Sequence, residues 1–306
     1  MIYDAVLCVS EKHKDIALLA IRSLSYFSDS RVIFVITAAK NFEFFERNLD
    51  PNIPFKLLDE DEVVPGLTIR SIQNLLLKYF GDCRDCGWFL QQFLKMGICH
   101  SSELAENYLI WDGDTLMLQK IAFFGSNSEV FVVPNQQLTD SYFTIMEKIV
   151  GCGRQVDFSF VSEHLMVKKI FMEELINLIQ EKSSESSWFE YIVASLDRWQ
   201  ITNRRGFSEF ETYGNFVAWK HPNHWFCREL KCSRYGSMMC GHVPERFDLF
   251  WLMVNGYSFV TFEKWMGPSK RRLAANKSRN WLTYQLSQLV KCSRFLMAVD
   301  QISPLS

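Results

Sequence analysis

The stretch Tyr108-Leu109-Ile110-Trp111-Asp112-Gly113-Asp114-Thr115-Leu116-Met117-Leu118 decides how this chain reads: an apolar run delivers two aspartates, one residue apart, and then turns apolar again. An apolar run of about four to eight residues suits a strand buried on both faces, and open α/β sheets bind ligands at the carboxyl ends of such strands. Asp112 and Asp114 would stand at that end, between segments where uncompensated carboxylates are expensive to bury. Mg²⁺ or Mn²⁺ is typically held by one or two carboxylates, with phosphate and water oxygens completing the shell, so the pair suits a metal-bridged diphosphate. Gly113 lets the backbone come close to a ligand.

A chain of this length contains roughly one Asp-x-Asp by chance, and a second one, Asp59-Glu60-Asp61, is present. That copy opens an acidic loop ending in Pro65-Gly66, where solvation explains it. Context therefore singles out the first pair.

At 306 residues, 48% hydrophobic and 22% charged, the chain can bury a large core, and its net charge of -2 carries no nucleic-acid signature. No apolar run reaches the roughly 18 residues of a membrane span, and the start Met1-Ile2-Tyr3-Asp4 lacks the basic residues of a secretory leader. A cytoplasmic location is expected. Nine scattered cysteines suit free thiols better than a disulfide framework.

Outward from Asp112 the pattern alternates. Asp4–Ser10 and Arg31–Thr37 read as strands around a helix at Asp15–Leu24, a βαβ unit that implies a parallel sheet. Phe55–Leu58 reads as a third strand, Ile69–Phe80 and Trp88–Ile98 as helices, Val130–Val133 as a strand, and Thr139–Val150 as a helix. Phe158–Val167 reads as a strand carrying His164, followed by a helix over Lys169–Glu181 and another starting at Ser187. The loop Ser10-Glu11-Lys12-His13 lacks the glycines of a dinucleotide-binding turn, and no Walker-type phosphate loop occurs.

Three segments in order, Gly87-Trp88-Phe89-Leu90-Gln91-Gln92-Phe93-Leu94-Lys95, the Asp112 stretch, and Phe207-Ser208-Glu209-Phe210-Glu211-Thr212-Tyr213-Gly214, resemble a poorly characterised, mostly bacterial family of glycosyltransferases with the GT-A fold. The resemblance covers roughly residues 1 to 220. One departure is Glu163, which stands where a second His beside His164 is expected. The resemblance implies an α/β fold with a Rossmann-like, mixed and mainly parallel sheet flanked by helices. Residues 1–225 then read as the catalytic domain; beyond them nothing resembles the family, and 226–306 reads from its own residues as a helical, basic portion packed on the same domain. The resemblance further implies transfer of a sugar from a nucleotide-diphosphate donor, a UDP-sugar first among them, to a glycan or lipid-linked acceptor in surface-polysaccharide synthesis. Mn²⁺ or Mg²⁺ would be held by Asp112 and Asp114, with His242 as third ligand; His221 and His224 are the other late histidines. Donor contacts are expected from Ser10, Lys12, Gln91, Gln92, Lys95, Asp112, Gly113 and His164. Glu209, with Glu211 as alternative, would be the base for the acceptor hydroxyl if the reaction inverts. Metal-assisted phosphoester or diphosphate hydrolysis and non-catalytic sugar binding are the competing readings.

Between residues 270 and 294 lie seven cations, Lys270, Arg271, Arg272, Lys277, Arg279, Lys291 and Arg294, and no Asp or Glu. Interleaved Trp281, Leu282, Tyr284, Leu286 and Leu289 offer one apolar face, which would suit a peripheral contact with an anionic membrane or packing on the domain.

Overall fold

The computed structural model of the chain describes residues 1–183, 186–202, 206–290 and 293–303. Its first half runs β1 (Asp4–Cys8), α1 (Lys14–Phe27), β2 (Ile33–Thr37), α2 (Phe42–Asn48), β3 (Phe55–Asp59), α3 (Ile69–Phe80), α4 (Cys86–Gly97), β4 (Asn107–Trp111) and β5 (Thr115–Met117). The middle holds β6 (Val130–Val132), α5 (Asp140–Ile149), β7 (His164–Lys168), α6 (Lys169–Lys182), α7 (Trp188–Ser195), α8 (Arg198–Thr202) and α9 (Glu209–Lys220). The chain closes with β8 (Trp225–Cys227), β9 (Cys232–Ser233), α10 (Gly236–Cys240), α11 (Arg246–Val254), β10 (Phe259–Thr261), α12 (Lys270–Val290) and α13 (Ser293–Ile302).

The main sheet has the order β3-β2-β1-β4-β7. Its first four strands are parallel, and β7 runs antiparallel to β4 with Trp111 opposite His164 and Asn107 opposite Lys168. This is an α/β fold with a mixed, mainly parallel sheet. The central strands read as unbroken apolar runs because both faces are covered. Val6, Phe34, Ile36, Tyr108 and Ile110 face a core shared with α4, α6 and α9. The alternate residues Ala5, Leu7, Val35, Leu109 and Trp111 face α1. Parallel β1 and β4 lie side by side, with Val6 opposite Ile110, so the loops after both emerge at one end of the sheet.

Two expectations need correction. The strand expected over 158–167 starts only at His164, because Glu163 takes a left-handed backbone, φ 61°, which breaks extension before it. The C-terminal portion is also not simply helical. β10 pairs antiparallel with β5 and parallel with β9, β8 pairs with β6, and α11 and α13 share a core with Ile16, Leu19 and Leu116.

Helix α12 packs its inner side on α11. Lys277 pairs with Glu245 and Asp248, Asn280 donates to Asp248 at 2.7 Å, the Arg279 guanidinium lies 3.9 Å from the Trp251 ring centre, and Tyr284 meets Phe250 edge-on. Trp281, Leu282 and Leu286 point to solvent with Arg271 and Arg272. Lys291 and the side chains of Leu289 and Arg294 lie outside the described residues. No helix among those described is long and apolar enough to cross a membrane.

Candidate active site

The site forms at the carboxyl ends of β1 and β4. Asp112 follows β4 directly, its N–H donating to the Glu163 carbonyl at 3.0 Å, and its own carbonyl accepts the N–H of Thr115 at 3.0 Å. The tight turn so formed presents both aspartates. Gly113 is needed there for space: a Cβ would sit 3.1 Å from the Cys8 carbonyl oxygen and 3.1 Å from a Val9 methyl. Close approach to the end of β1, rather than an unusual φ, explains the glycine.

Helix α4 delivers Lys95 from below. Its Nζ lies 2.6 Å from Asp112 Oδ1 and 2.8 Å from Glu209 Oε1, and 4.8 Å from the Phe210 ring centre. Lys95 and Glu209 are both buried, while the Asp112 side chain keeps 29% exposure and so remains open to a ligand. Burial alone would push the ammonium down, but Asp112 and Glu209 outweigh it and hold it above its ordinary value. The cation is permanent. Gln92, three residues earlier on the same helical face, accepts the Glu209 N–H at 3.3 Å through Oε1 and ties α4 to the start of α9. Ser208 caps α9, its hydroxyl accepting the Glu211 N–H at 3.3 Å.

Two residues that sequence reasoning missed complete the cluster. Arg234, just past β9, places Nε 2.8 Å from Glu163 Oε1, an ion pair without hydrogen-bond alignment, and Nη2 2.8 Å from Glu263 Oε1. Burial pushes the Glu163 carboxyl up to about 8, against the pull of Arg234, with Asp112, Glu263 and Asp114 adding repulsion. Asp114 is likewise pushed up to about 7 by burial, then by Asp112 and Glu263. Crowded carboxylates of this kind call for positive charge. Left-handed backbone at a buried non-glycine residue costs about 1–3 kcal/mol and clusters at functional sites. Glu163 was noticeable in sequence as a departure from the expected His; Arg234 and Glu263 sit in stretches with no motif.

The other expected site residues divide. Gln91 contributes its carbonyl to the Cys8 thiol at 3.7 Å, and its side chain stays half-buried near the β1 end. Ser10 and Lys12 are exposed in the loop after β1, with the Ser10 hydroxyl 2.9 Å from His13 Nδ1. His164 is misplaced as a donor contact: it is 3% exposed, packed among Trp111, Phe123 and Phe259, with Nδ1 2.9 Å from the Ser162 carbonyl. Its place in register opposite Trp111 turns the ring into the core. Glu211 is spent elsewhere, accepting from the Phe160 N–H at 3.3 Å and Asn215 Nδ2 at 3.2 Å, because it lies two residues round the helix from Glu209. His242 is exposed beside Gly267, and no group of three or more His, Cys, Asp or Glu among the described residues is placed to hold one ion. It is therefore not gathered with the aspartates as a third ligand. His221 stacks on Phe171 and pairs with Glu174, and His224 also packs on Phe171.

The residues present fit a divalent cation as part of its shell. Two carboxylates crowded by further acids would be relieved by one, and the remaining positions would fall to ligand and water oxygens.

No family model matches the chain, and no curated protein matches it. Among solved structures it is similar to mouse xyloside xylosyltransferase 1 in its apo form, at 12% identity over 76% of this chain and 87% of that one, TM-score 0.44. It is also similar to the galactosyltransferase LgtC in complex with donor and acceptor sugar analogs, at 10% identity over 99% and 97%, TM-score 0.44. A third is the apo WbbM bifunctional glycosyltransferase, at 9% identity over 98% of this chain and 51% of that one, TM-score 0.44.

Proposed function

We propose that the protein is a metal-dependent glycosyltransferase of the GT-A type, which moves a sugar from a nucleotide-diphosphate donor to a glycan or glycolipid acceptor. The observation that carries the reading is the turn Asp112-Gly113-Asp114 at the carboxyl end of central strand β4, with Lys95 clamped between Asp112 and Glu209. Asp112 and Asp114 would hold Mn²⁺ or Mg²⁺, which acts as a Lewis acid on the departing diphosphate. Lys95 keeps a fixed ammonium beside that position and offsets part of the developing charge, a preorganised contribution that needs no rearrangement. Ser10 and Lys12, exposed in the loop after β1, would face the nucleotide. Glu209, 2.8 Å from the Lys95 ammonium at the start of α9, would take the acceptor proton if the reaction inverts.

Hydrolysis through two metals is the weaker reading. Such a site would need free carboxylates around the first pair, but Glu163 and Glu263 are paired with Arg234 and Glu209 with Lys95.

Thermal unfolding tests the proposal. UDP with Mn²⁺ should stabilise the protein by about 3 kcal/mol at a hundredfold excess over Kd. Asp112→Asn should abolish that shift and sugar transfer together while the unliganded protein stays folded. Transfer that proceeds undiminished in chelator, or a nucleotide shift identical in Asp112→Asn, refutes it.

A further inference from the structure

Toward the opposite end of β4 lies a cavity of about 290 Å³ whose lining includes none of the residues gathered around Asp112, although His224 stands on its wall. It runs along β7, the last strand of the main sheet, and is walled by β6, β8 and α9. Asn107 and Lys168, which line it, face each other four residues along the ladder from Trp111 and His164. At about 3.3 Å per residue the Asn107–Lys168 pair is roughly 13 Å from the aspartate end, and Leu165 and Met166 carry the lining part of the way back along β7.

Its walls combine ring faces with a few polar groups. Phe160, Phe171, Tyr213 and Trp225 supply the rings; Asn107, Asn127, Ser128 and Lys168 supply donors and acceptors. Among the described residues no Asp or Glu lines it. The Trp225 indole N–H is buried with no hydrogen-bond partner, and a buried donor left unpaired calls for a missing acceptor. Gly214, on α9, keeps the space for the Phe160 ring: a Cβ there would sit 2.2 Å from it. The cavity is thus shaped by specific residues.

We infer that this cavity is a saccharide-binding site, in which a sugar ring lies against the aromatic wall and its hydroxyl oxygens accept from Trp225 Nε1, Asn127 or Lys168. An acyl chain would fill the apolar part but leave the indole N–H unpaired, which is the observation that favours a polyol. The site assignment stands on the cavity; its use, holding a glycan away from the transfer centre, rests on the transferase reading.

Lactose and maltose at millimolar concentration are the probes, read by saturation-transfer NMR and tryptophan fluorescence, with octanoate as the apolar comparison. One of the disaccharides should bind, Trp225→Phe should weaken it roughly two- to tenfold by removing one hydrogen bond, and Lys168→Gln should weaken it as well. Asp112→Asn should leave that binding intact, and an unsubstituted protein that binds a disaccharide but gains no protection from UDP with Mn²⁺ would sink the transferase reading alone. Octanoate binding without either disaccharide, or disaccharide binding unchanged in both Trp225→Phe and Lys168→Gln, overturns the assignment.

Discussion

At the scale of single residues, Glu209 holds two roles that one substitution separates. As a base it would take the acceptor proton; as the partner of Lys95 at 2.8 Å it fixes the ammonium near Asp112. Glu209→Gln keeps a hydrogen-bonding oxygen but removes the charge. A lost base should lower kcat by about 10²–10⁴ with donor KM nearly unchanged. A rise in donor KM with kcat little altered would assign Glu209 to positioning Lys95 instead. His164 carries a different consequence. Burial holds its imidazole down at about 4, so the folded protein keeps it neutral while the unfolded chain protonates near pH 6.5. The unfolded state then binds more protons between those values, so stability falls as pH drops from about 6.5 to about 4, by up to roughly 3 kcal/mol from this group. Asp114 and Glu163, held up to about 7 and 8, act with the opposite sign over the same range, so the His164 contribution is read as a difference: urea unfolding should show His164→Phe losing less stability, or gaining more, than the unsubstituted protein as pH falls from about 6.5 to about 4, and an unchanged pH slope in that variant would refute the assignment.

At the scale of elements, legibility followed locality. The unit β1–α1–β2 was readable because its strands are buried on both faces and its helix is short-range and amphipathic, and α3 ends where sequence placed it, at Phe80 before Gly81 with φ 71°. The Asp112 turn was readable because charge interrupts an apolar strand. What stayed hidden was set by pairing across long sequence distance. Nothing in Phe259-Val260-Thr261 announces that it will pair with Thr115-Leu116-Met117, nor that Arg234 will then lie against Glu163. Glu163 itself needed the antiparallel β7 to bring its carbonyl to the Asp112 N–H. The misreading of His164 has the same origin, since one residue of register decides which face of a strand a side chain takes. For Glu211 the deciding matter was helix geometry: adjacent-but-one positions on α9 point apart, and only Glu209 reaches Lys95.

At the scale of the whole molecule, the portion after residue 225 is structural and completes the site. It supplies β9 and β10, places Arg234 and Glu263 beside the aspartates, and covers Ile16, Leu19, Leu116 and Leu118 with α11, α13 and β10. Each of those four side chains contributes at most about 1.5–3 kcal/mol by burial. Exposing all four removes an amount comparable with the roughly 5–15 kcal/mol that holds a typical domain together. It also uncovers Trp111 and His164, which Phe259 packs against edge-on. A chain cut after Trp225 should therefore fail to fold as a cooperative unit, and accumulate as aggregate or as a compact state without fixed packing. Circular dichroism in the near-ultraviolet and dispersion of amide NMR signals measure this directly. A soluble 1–225 fragment with a single sharp thermal transition would show that the sheet around β4 stands without β10, and the part played by the C-terminal portion would shrink to Arg234 and Glu263 alone.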